Sequence, residues 1–243
     1  MRIIKVSATE STNTLARERY QLNKNEAPFC IIAEHQIAGR GQRGTTWVSN
    51  RGENLTMSVV YSNPQVGIQE QFLLSSSVAL AILDSLKDIK INNLKLKWPN
   101  DIMSANYKIG GILIENILSN GRITASIIGL GLNINQLDFP TLPKAASLKM
   151  VTGDTYDINE VAESICESIE KNLNAIDTVK GKGILEEYQS VLFRRNKVST
   201  FSLPNGELLT GIIKGITPTG LLKIMGEDEV LKLFDLKEIK LLF

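Results

Sequence analysis

Four short stretches of this chain combine residue types that could do chemistry. The first, Gly39-Arg40-Gly41-Gln42-Arg43-Gly44, sets glycines beside two guanidinium groups. Glycines let backbone N–H groups approach a phosphate closely, and Arg40 and Arg43 add charge and fork-shaped donors. The stretch also satisfies G-x-G-x-x-G, but a dinucleotide-binding turn needs a helix directly after it. Here the chain continues through Thr45-Thr46-Trp47-Val48-Ser49-Asn50 into an alternating strand. A kinase glycine-rich loop does run into a strand, yet the chain contains neither H-R-D nor D-F-G. The stretch therefore favours an anion-binding loop that orders on its ligand, with a surface hairpin as the plainer alternative. Trp47 either closes over that ligand or packs as an ordinary apolar residue.

The second stretch, Lys97-Trp98-Pro99-Asn100-Asp101, ends a strand at a proline and exposes an amide and a carboxylate together. The same residue types make an ordinary β-turn. The third, Lys108-Ile109-Gly110-Gly111-Ile112-Leu113-Ile114-Glu115, opens a strand with a lysine, and its glycine pair allows close backbone approach to a ligand. A solvated lysine before a glycine bulge reads equally well. The fourth, Gly129-Leu130-Gly131-Leu132-Asn133-Ile134-Asn135, is a glycine-punctuated strand end with two amides, or simply a turn.

The elements that must position these stretches are legible in the hydrophobic pattern. Short strands are predicted at Ile3–Val6, Phe29–Glu34 and 94–98, and a half-buried strand where Leu55, Met57, Val59 and Tyr61 alternate with Thr56, Ser58 and Val60. Ile109–Ile117 and Ile123–Leu130 are predicted to pair across Ser119-Asn120-Gly121. Helices are predicted from Leu15 after the hydroxyl-bearing Ser11-Thr12-Asn13, over Gln69–Asp88, over Ile158–Leu173 and over Leu185–Leu192. Asp138–Thr152 reads as a connection, and Lys180-Gly181-Lys182-Gly183 as a solvated linker. After Arg194-Arg195 the texture changes to short strands separated by Pro204-Asn205-Gly206, Thr217-Pro218-Thr219-Gly220 and Gly226-Glu227-Asp228. That pattern predicts a small all-β module, with a domain boundary near residue 192.

Composition narrows the classes. The chain has 243 residues, 27 Lys+Arg against 26 Asp+Glu, and a formal net charge of +1. Near-neutrality argues against a broad nucleic-acid footprint. One histidine, His35, excludes multi-histidine metal sites, and two cysteines, Cys30 and Cys166, make no disulfide framework. Both cysteines lie in apolar runs and read as inert core, and His35 as a strand-end residue. No signal peptide and no membrane span is predicted, so a cytoplasmic protein is expected.

Singly the four stretches are weak, but their order is specific. Glu10-Ser11-Thr12-Asn13, Gln36-x-x-Gly39-Arg40-Gly41, Lys97-Trp98-Pro99-Asn100-Asp101, Lys108-x-x-Gly111-Ile112-Leu113-x-Glu115 and Gly129-x-Gly131-x-Asn133 succeed one another along the chain. This series closely resembles the biotin protein ligases, and the resemblance covers essentially the whole chain. It implies an α+β fold: a mixed sheet packed with helices, the class II synthetase-like biotin/lipoate ligase catalytic domain, over residues 1–192. An SH3-like β-barrel is implied over 193–243. Because the Ser-Thr-Asn motif begins at Ser11, a form without an N-terminal winged helix is expected.

The resemblance also implies the chemistry. Such enzymes make biotinyl-5′-AMP from biotin and ATP with Mg2+, then pass biotin to one lysine of a biotin carboxyl carrier domain. It implies no nucleic-acid or membrane partner and leaves a homodimer open. By similarity, Ser11, Thr12, Asn13, Gln36, Gly39, Arg40, Lys108, Gly111 and Leu113 should bind biotin. Arg40, Gln42, Arg43, Trp47, Asn100, Lys108, Asn133 and Phe139 should meet the nucleotide, with Arg40, Lys108 and Asp101 catalytic. The loop departs from the family pattern where Gln42 and Thr45 replace common arginines, which removes two positive charges. Lipoate ligases usually carry R-R-x-S-G-G-G instead, so biotin is the favoured substrate.

Overall fold

The computed structural model describes residues 1–176 and 181–242; residues 177–180 and 243 and the side chain of Arg43 lie outside it. Seven strands form a mixed sheet: β1 (Arg2–Val6), β2 (Phe29–Ala33), β3 (Asn54–Ser62), β4 (Leu94–Lys97), β5 (Asp101–Ser104), β6 (Tyr107–Ser119) and β7 (Arg122–Asn133). Their spatial order is β1-β2-β3-β7-β6-β5-β4. Only β1 and β2 run parallel; every other neighbouring pair is antiparallel. The predicted hairpin is present, and its turn places both Asn120 (φ 52°) and Gly121 (φ 72°) in the left-handed region. Two-residue hairpin turns require that geometry and Asn-Gly tolerates it best.

Helices cover both faces. On one side α1 (Thr12–Leu22) buries Ala16 and Tyr20 against Phe29, Ile31, Val60 and Ile127. On the other, α2 (Gln71–Asp88) packs its long apolar face against the sheet and against α4 (Ile158–Asn174) and α5 (Gly181–Ser190). The strand predicted as half-buried is instead buried on both faces along 54–60, because α1 covers the polar row of Thr56 and Ser58. Asp157 caps α4: its Oδ1 accepts from the N–H groups of Asn159 (2.7 Å) and Glu160 (3.3 Å), and these bonds hold the carboxyl below its usual range.

Three boundaries differ from expectation. β5 pairs with β4 beyond the Pro99 turn, so the proline marks a hairpin rather than a strand end. The connection 138–152 closes with a short helix, α3 (Leu148–Thr152), capped by Ser147, whose hydroxyl accepts from Met150 N–H. α5 begins at Gly181, not Leu185, so Gly181-Lys182-Gly183 is helical rather than linker; Lys180 lies outside the described residues. Cys30 and Cys166 are buried neighbours, and the hydrogen bond between their thiols, with burial, pushes the Cys30 thiol far up. That agrees with an inert core role.

The C-terminal segment forms a five-stranded antiparallel sheet of β8 (Val198–Ser202), β9 (Leu208–Ile216), β10 (Leu222–Gly226), β11 (Leu231–Phe234) and β12 (Lys240–Leu242), in the order β11-β10-β9-β8-β12. Its Phe201, Ile213, Leu222 and Ile239 belong to the same apolar cluster as α2 and the large sheet. Backbone bonds Leu96 N–H to Val191 O (3.0 Å) and Phe193 N–H to Leu96 O (2.8 Å) tie the segment after α5 to β4. Among the described residues no helix is long and apolar enough to cross a membrane.

Candidate active site

The segment 39–47 folds as a small hairpin. Trp47 N–H donates to Gly39 O (2.9 Å) and Gly41 N–H to Thr45 O (2.7 Å), around a one-turn 3-10 helix at Gln42–Gly44. Its base is fixed because Ile37 and Ala38 N–H groups donate to Thr9 and Glu10 carbonyls (both 2.9 Å). The Trp47 ring lies directly on Gly131 of β7, where any Cβ would strike the ring. A glycine is therefore required there if the hairpin is to lie against the sheet. Lys108 Nζ stands 5.9 Å from the Trp47 ring centroid, within cation–π range.

A chain of polar side chains runs from the foot of the hairpin to Arg40. Thr12 donates its backbone N–H (2.8 Å) and its hydroxyl (3.1 Å) to Gln36 Oε1. The Ser58 hydroxyl lies 2.7 Å from Thr12 Oγ1 and 2.6 Å from Asn13 Oδ1. Asn13 Nδ2 donates to Glu115 Oε2 (2.7 Å), and the same oxygen accepts from Arg40 Nη2 (3.0 Å). Thr12, Asn13 and Ser58 are buried, as the start of α1 and the polar row of β3 require. Ser11 is the N-cap residue of α1, yet its hydroxyl makes no capping bond. Neither Ser58 nor Glu115 stood out from sequence as a site residue. The signal for Ser58 was a hydroxyl on a strand with two buried faces.

The second polar cluster is cationic. Asp101, at the start of β5, pairs with Lys108 Nζ (2.6 Å) and Lys97 Nζ (3.1 Å). The β5–β6 hairpin brings the first pair together, and the antiparallel register that sets Lys97 opposite Asp101 brings the second. Asn100 is locked by two bonds to Ile112: its Nδ2 donates to Ile112 O (2.8 Å), and its own carbonyl accepts Ile112 N–H (3.0 Å). Lys108 also holds the 138–148 connection, donating its N–H to Lys144 O (2.7 Å) and accepting from Ala146 N–H (3.0 Å).

Both clusters face one cavity of about 420 Å³. Ser11, Thr12, Asn13 and Gln36 line one part; Arg40, Gln42, Trp47, Asn100, Asp101 and Lys108 line another; Gly111 and Leu113 lie between. A wall comes from the C-terminal segment, including Phe193, Leu222, Leu236 and Ile239, which sequence reasoning did not single out. Among the described sequence-predicted residues, three are not in the lining. Gly39 sits just behind it, bonded to Trp47. Asn133 is buried and donates to Ala146 O (3.0 Å), so it anchors the 138–148 connection. Phe139 is half-buried on that connection. The backbone of Arg43 lies in the 3-10 turn, and its side chain is outside the described part of the molecule.

The fold and the cavity are accompanied by a family match: residues 6–133 match the Biotin/lipoate A/B protein ligase family, and the chain belongs to that family. It is similar to curated relatives named as ligases, some of them as biotin ligases. It is 33% identical over 158 residues to the bifunctional ligase/repressor BirA of Bacillus subtilis, covering 63% of this chain and 48% of that protein. It is 28% identical over 220 residues to the biotin--[acetyl-CoA-carboxylase] ligase of Mycobacterium tuberculosis, covering 89% and 80%. The chain spans about half the length of the Bacillus relatives it matches. Among solved structures, the biotin protein ligase of Aquifex aeolicus in complex with biotin and ATP superposes with a TM-score of 0.80 at 25% identity, covering 99% of this chain and 98% of that one.

Proposed function

We propose that this chain is a biotin protein ligase acting in the cytoplasm. Its first step joins the carboxylate of biotin to the α-phosphate of ATP. A carboxylate oxygen attacks phosphorus, the bond to the bridging oxygen breaks, and pyrophosphate leaves. In the second step the amine of a carrier-domain lysine attacks the carbonyl carbon of biotinyl-5′-AMP. The C–O bond to phosphate breaks, AMP leaves, and the amine gives up one proton.

The observation that carries this reading is the union of two unlike ends in one cavity. One end offers directional hydrogen bonds from Ser11, Thr12 and Gln36; the other offers Arg40 together with Lys97 and Lys108 on Asp101. Gln36 already spends Oε1 on Thr12, so it can offer only its Nε2 donor to a ligand, which suits the ureido oxygen of biotin. The uncommitted hydroxyl of Ser11 is the second donor. Gly111 and Leu113 then flank the tail, and Arg40 and Lys108 meet the carboxylate and phosphate. Fixed cations there offset the repulsion between two anions, the usual means of speeding such a step.

Asp101 is fully engaged by two lysines. When Lys108 turns to phosphate, one Asp101 oxygen is freed to hold the incoming amine or take its proton. Trp47, Gln42 and Asn100 are the residues of the lining that would meet the nucleotide, with Asn133 and Phe139 acting through the 138–148 connection. Mg2+ enters as the phosphate-bound ion: among the described residues no group of three metal-binding side chains gathers, and Mg2+ commonly keeps waters and phosphate oxygens as ligands. When bound, it supplies charge neutralisation of the polyphosphate.

The test is pyrophosphate exchange with MgATP in the presence of biotin, lipoate or octanoate. Exchange with biotin alone is expected. Exchange with lipoate or octanoate instead would overturn the substrate, and exchange with none would overturn the enzyme.

A further inference from the structure

A second cavity, about 310 Å³, meets the first at the Pro99-Asn100-Asp101 turn. Successive residues of β6 point to opposite faces of the sheet. Gly111 and Leu113 line only the first cavity and Ile114 and Asn116 only the second, while Ile112 and Gln42 line both. The second chamber therefore lies on the α2 side, between Phe72 and Ser75 of α2, Tyr188 of α5 and the Thr219-Gly220 turn of the C-terminal sheet. It reaches the same Asp101 from behind.

We propose that this rear chamber admits the side chain of the acceptor lysine and delivers its amine to the activated carboxyl group beside Asp101. The inference rests on the ligase reading above and names a route that reading does not supply. Three observations carry it.

The walls are apolar where a methylene stem would lie, at Phe72, Ala79, Leu96, Pro99 and Leu236, and carboxylates stand in the lining at Asp101 and at the exposed Asp235. A lysine fits that arrangement because its stem is apolar and its head is polar. Next, the buried Tyr188 lines the chamber and stacks edge-on against Phe72, 5.3 Å between ring centroids. Burial, with the charge of Asp101, pushes this phenol up, so it stays protonated and its oxygen can accept an amine N–H.

Finally, the front cavity is filled by biotin and nucleotide in the proposed reaction, and an activated acyl group must be shielded from water. An approach from the α2 side lets the nucleophile arrive without passing Gly111 and Leu113. Lys97, which stays on Asp101 when Lys108 turns to phosphate, disfavours a further ammonium there and favours the neutral amine that attacks.

The experiment fills the chamber from two sides, with Ser75→Trp on α2 and Thr219→Trp on the facing turn. Each variant is assayed for biotin-dependent pyrophosphate exchange, for discharge of biotinyl-AMP by hydroxylamine, and for transfer to a biotin carboxyl carrier domain with one acceptor lysine. Exchange and hydroxylamine discharge should stay within about twofold of the parent, while carrier transfer falls about tenfold or more, since a misplaced nucleophile loses orientation. Carrier transfer that stays within about twofold in both variants would overturn the route. Loss of exchange or of hydroxylamine discharge in both would also overturn it, assigning the chamber to the adenylation half. A parent chain without biotin-dependent exchange would refute the ligase reading itself, and the route with it.

Discussion

The Gly39–Trp47 hairpin and the β5–β6 strand pair deliver cations to the same cavity, but different forces hold them. Lys108 and Asp101 sit on paired strands, where Met103 faces Lys108 and Asp101 faces Gly111 across a register shift between Ile102 and Met103. Their pairing is a by-product of strand geometry that folding has already fixed. Arg40 stands on a hairpin with three internal backbone bonds, and its side chain is 45% exposed where it meets Glu115. An exposed pair of that kind contributes about 0–1 kcal/mol. One charge is thus placed by the fold and the other by a weak, reversible dock. The strand pair keeps the backbone under Lys108 rigid, whereas the hairpin leaves the arginine able to leave and return.

Removing the rigid charge should do most damage. Lys108→Ala should slow biotin-dependent exchange by about 100-fold or more, since a fixed donor at developing charge is worth roughly 3 kcal/mol. An unaffected exchange rate would remove Lys108 from the site. Next in size is Gly131→Ala, which sets a methyl group against the Trp47 ring. Overpacking of this kind costs about 1–3 kcal/mol, so exchange should fall about tenfold with a change in tryptophan emission. An unchanged emission spectrum would mean that the ring does not rest on β7.

Glu115→Ala unties the dock itself. Tryptic cleavage after Arg40 in the ligand-free protein should quicken about fivefold, as expected for losing about 1 kcal/mol of docking. Equal cleavage rates would show that backbone bonds alone hold the hairpin. Smallest is Gln42→Arg, which restores one positive charge to the hairpin. The off-rate of biotinyl-AMP should drop about threefold, with the effect fading at high salt. An off-rate that is unchanged or faster would count against the hairpin as a retention device.

Much of this was readable in the chain because the chemistry is written in local stretches. The β6–β7 hairpin, α2 and α4 followed from periodicity, and the Lys97–Asp101 and Lys108–Glu115 stretches do meet in one cavity. What escaped was non-local. Glu115 is an ordinary carboxylate within a strand until α1 brings Asn13 and the hairpin brings Arg40 to it. Ser58 looked like the solvent side of a half-buried strand, because alternation cannot reveal that a helix covers the polar row. The cavity wall from Phe193, Leu222 and Ile239 comes from a segment about 100 residues downstream of the Lys97 turn, and no spacing rule connects them. β5 was hidden by a proline that usually ends strands.

The bond from Thr12 N–H to Gln36 Oε1 has a consequence for evolvability. A main-chain N–H keeps its polarity under every substitution except proline. The amide of Gln36 therefore cannot be turned round by mutating its neighbour, and the end of the cavity that it lines stays a donor. Selection could widen or narrow that end with little resistance, yet inverting its preference from an acceptor-bearing ligand to a donor-bearing one would require rebuilding the first turn of α1. Substrate drift in this chain should run along ligand size and tail length, with head-group polarity inherited unchanged.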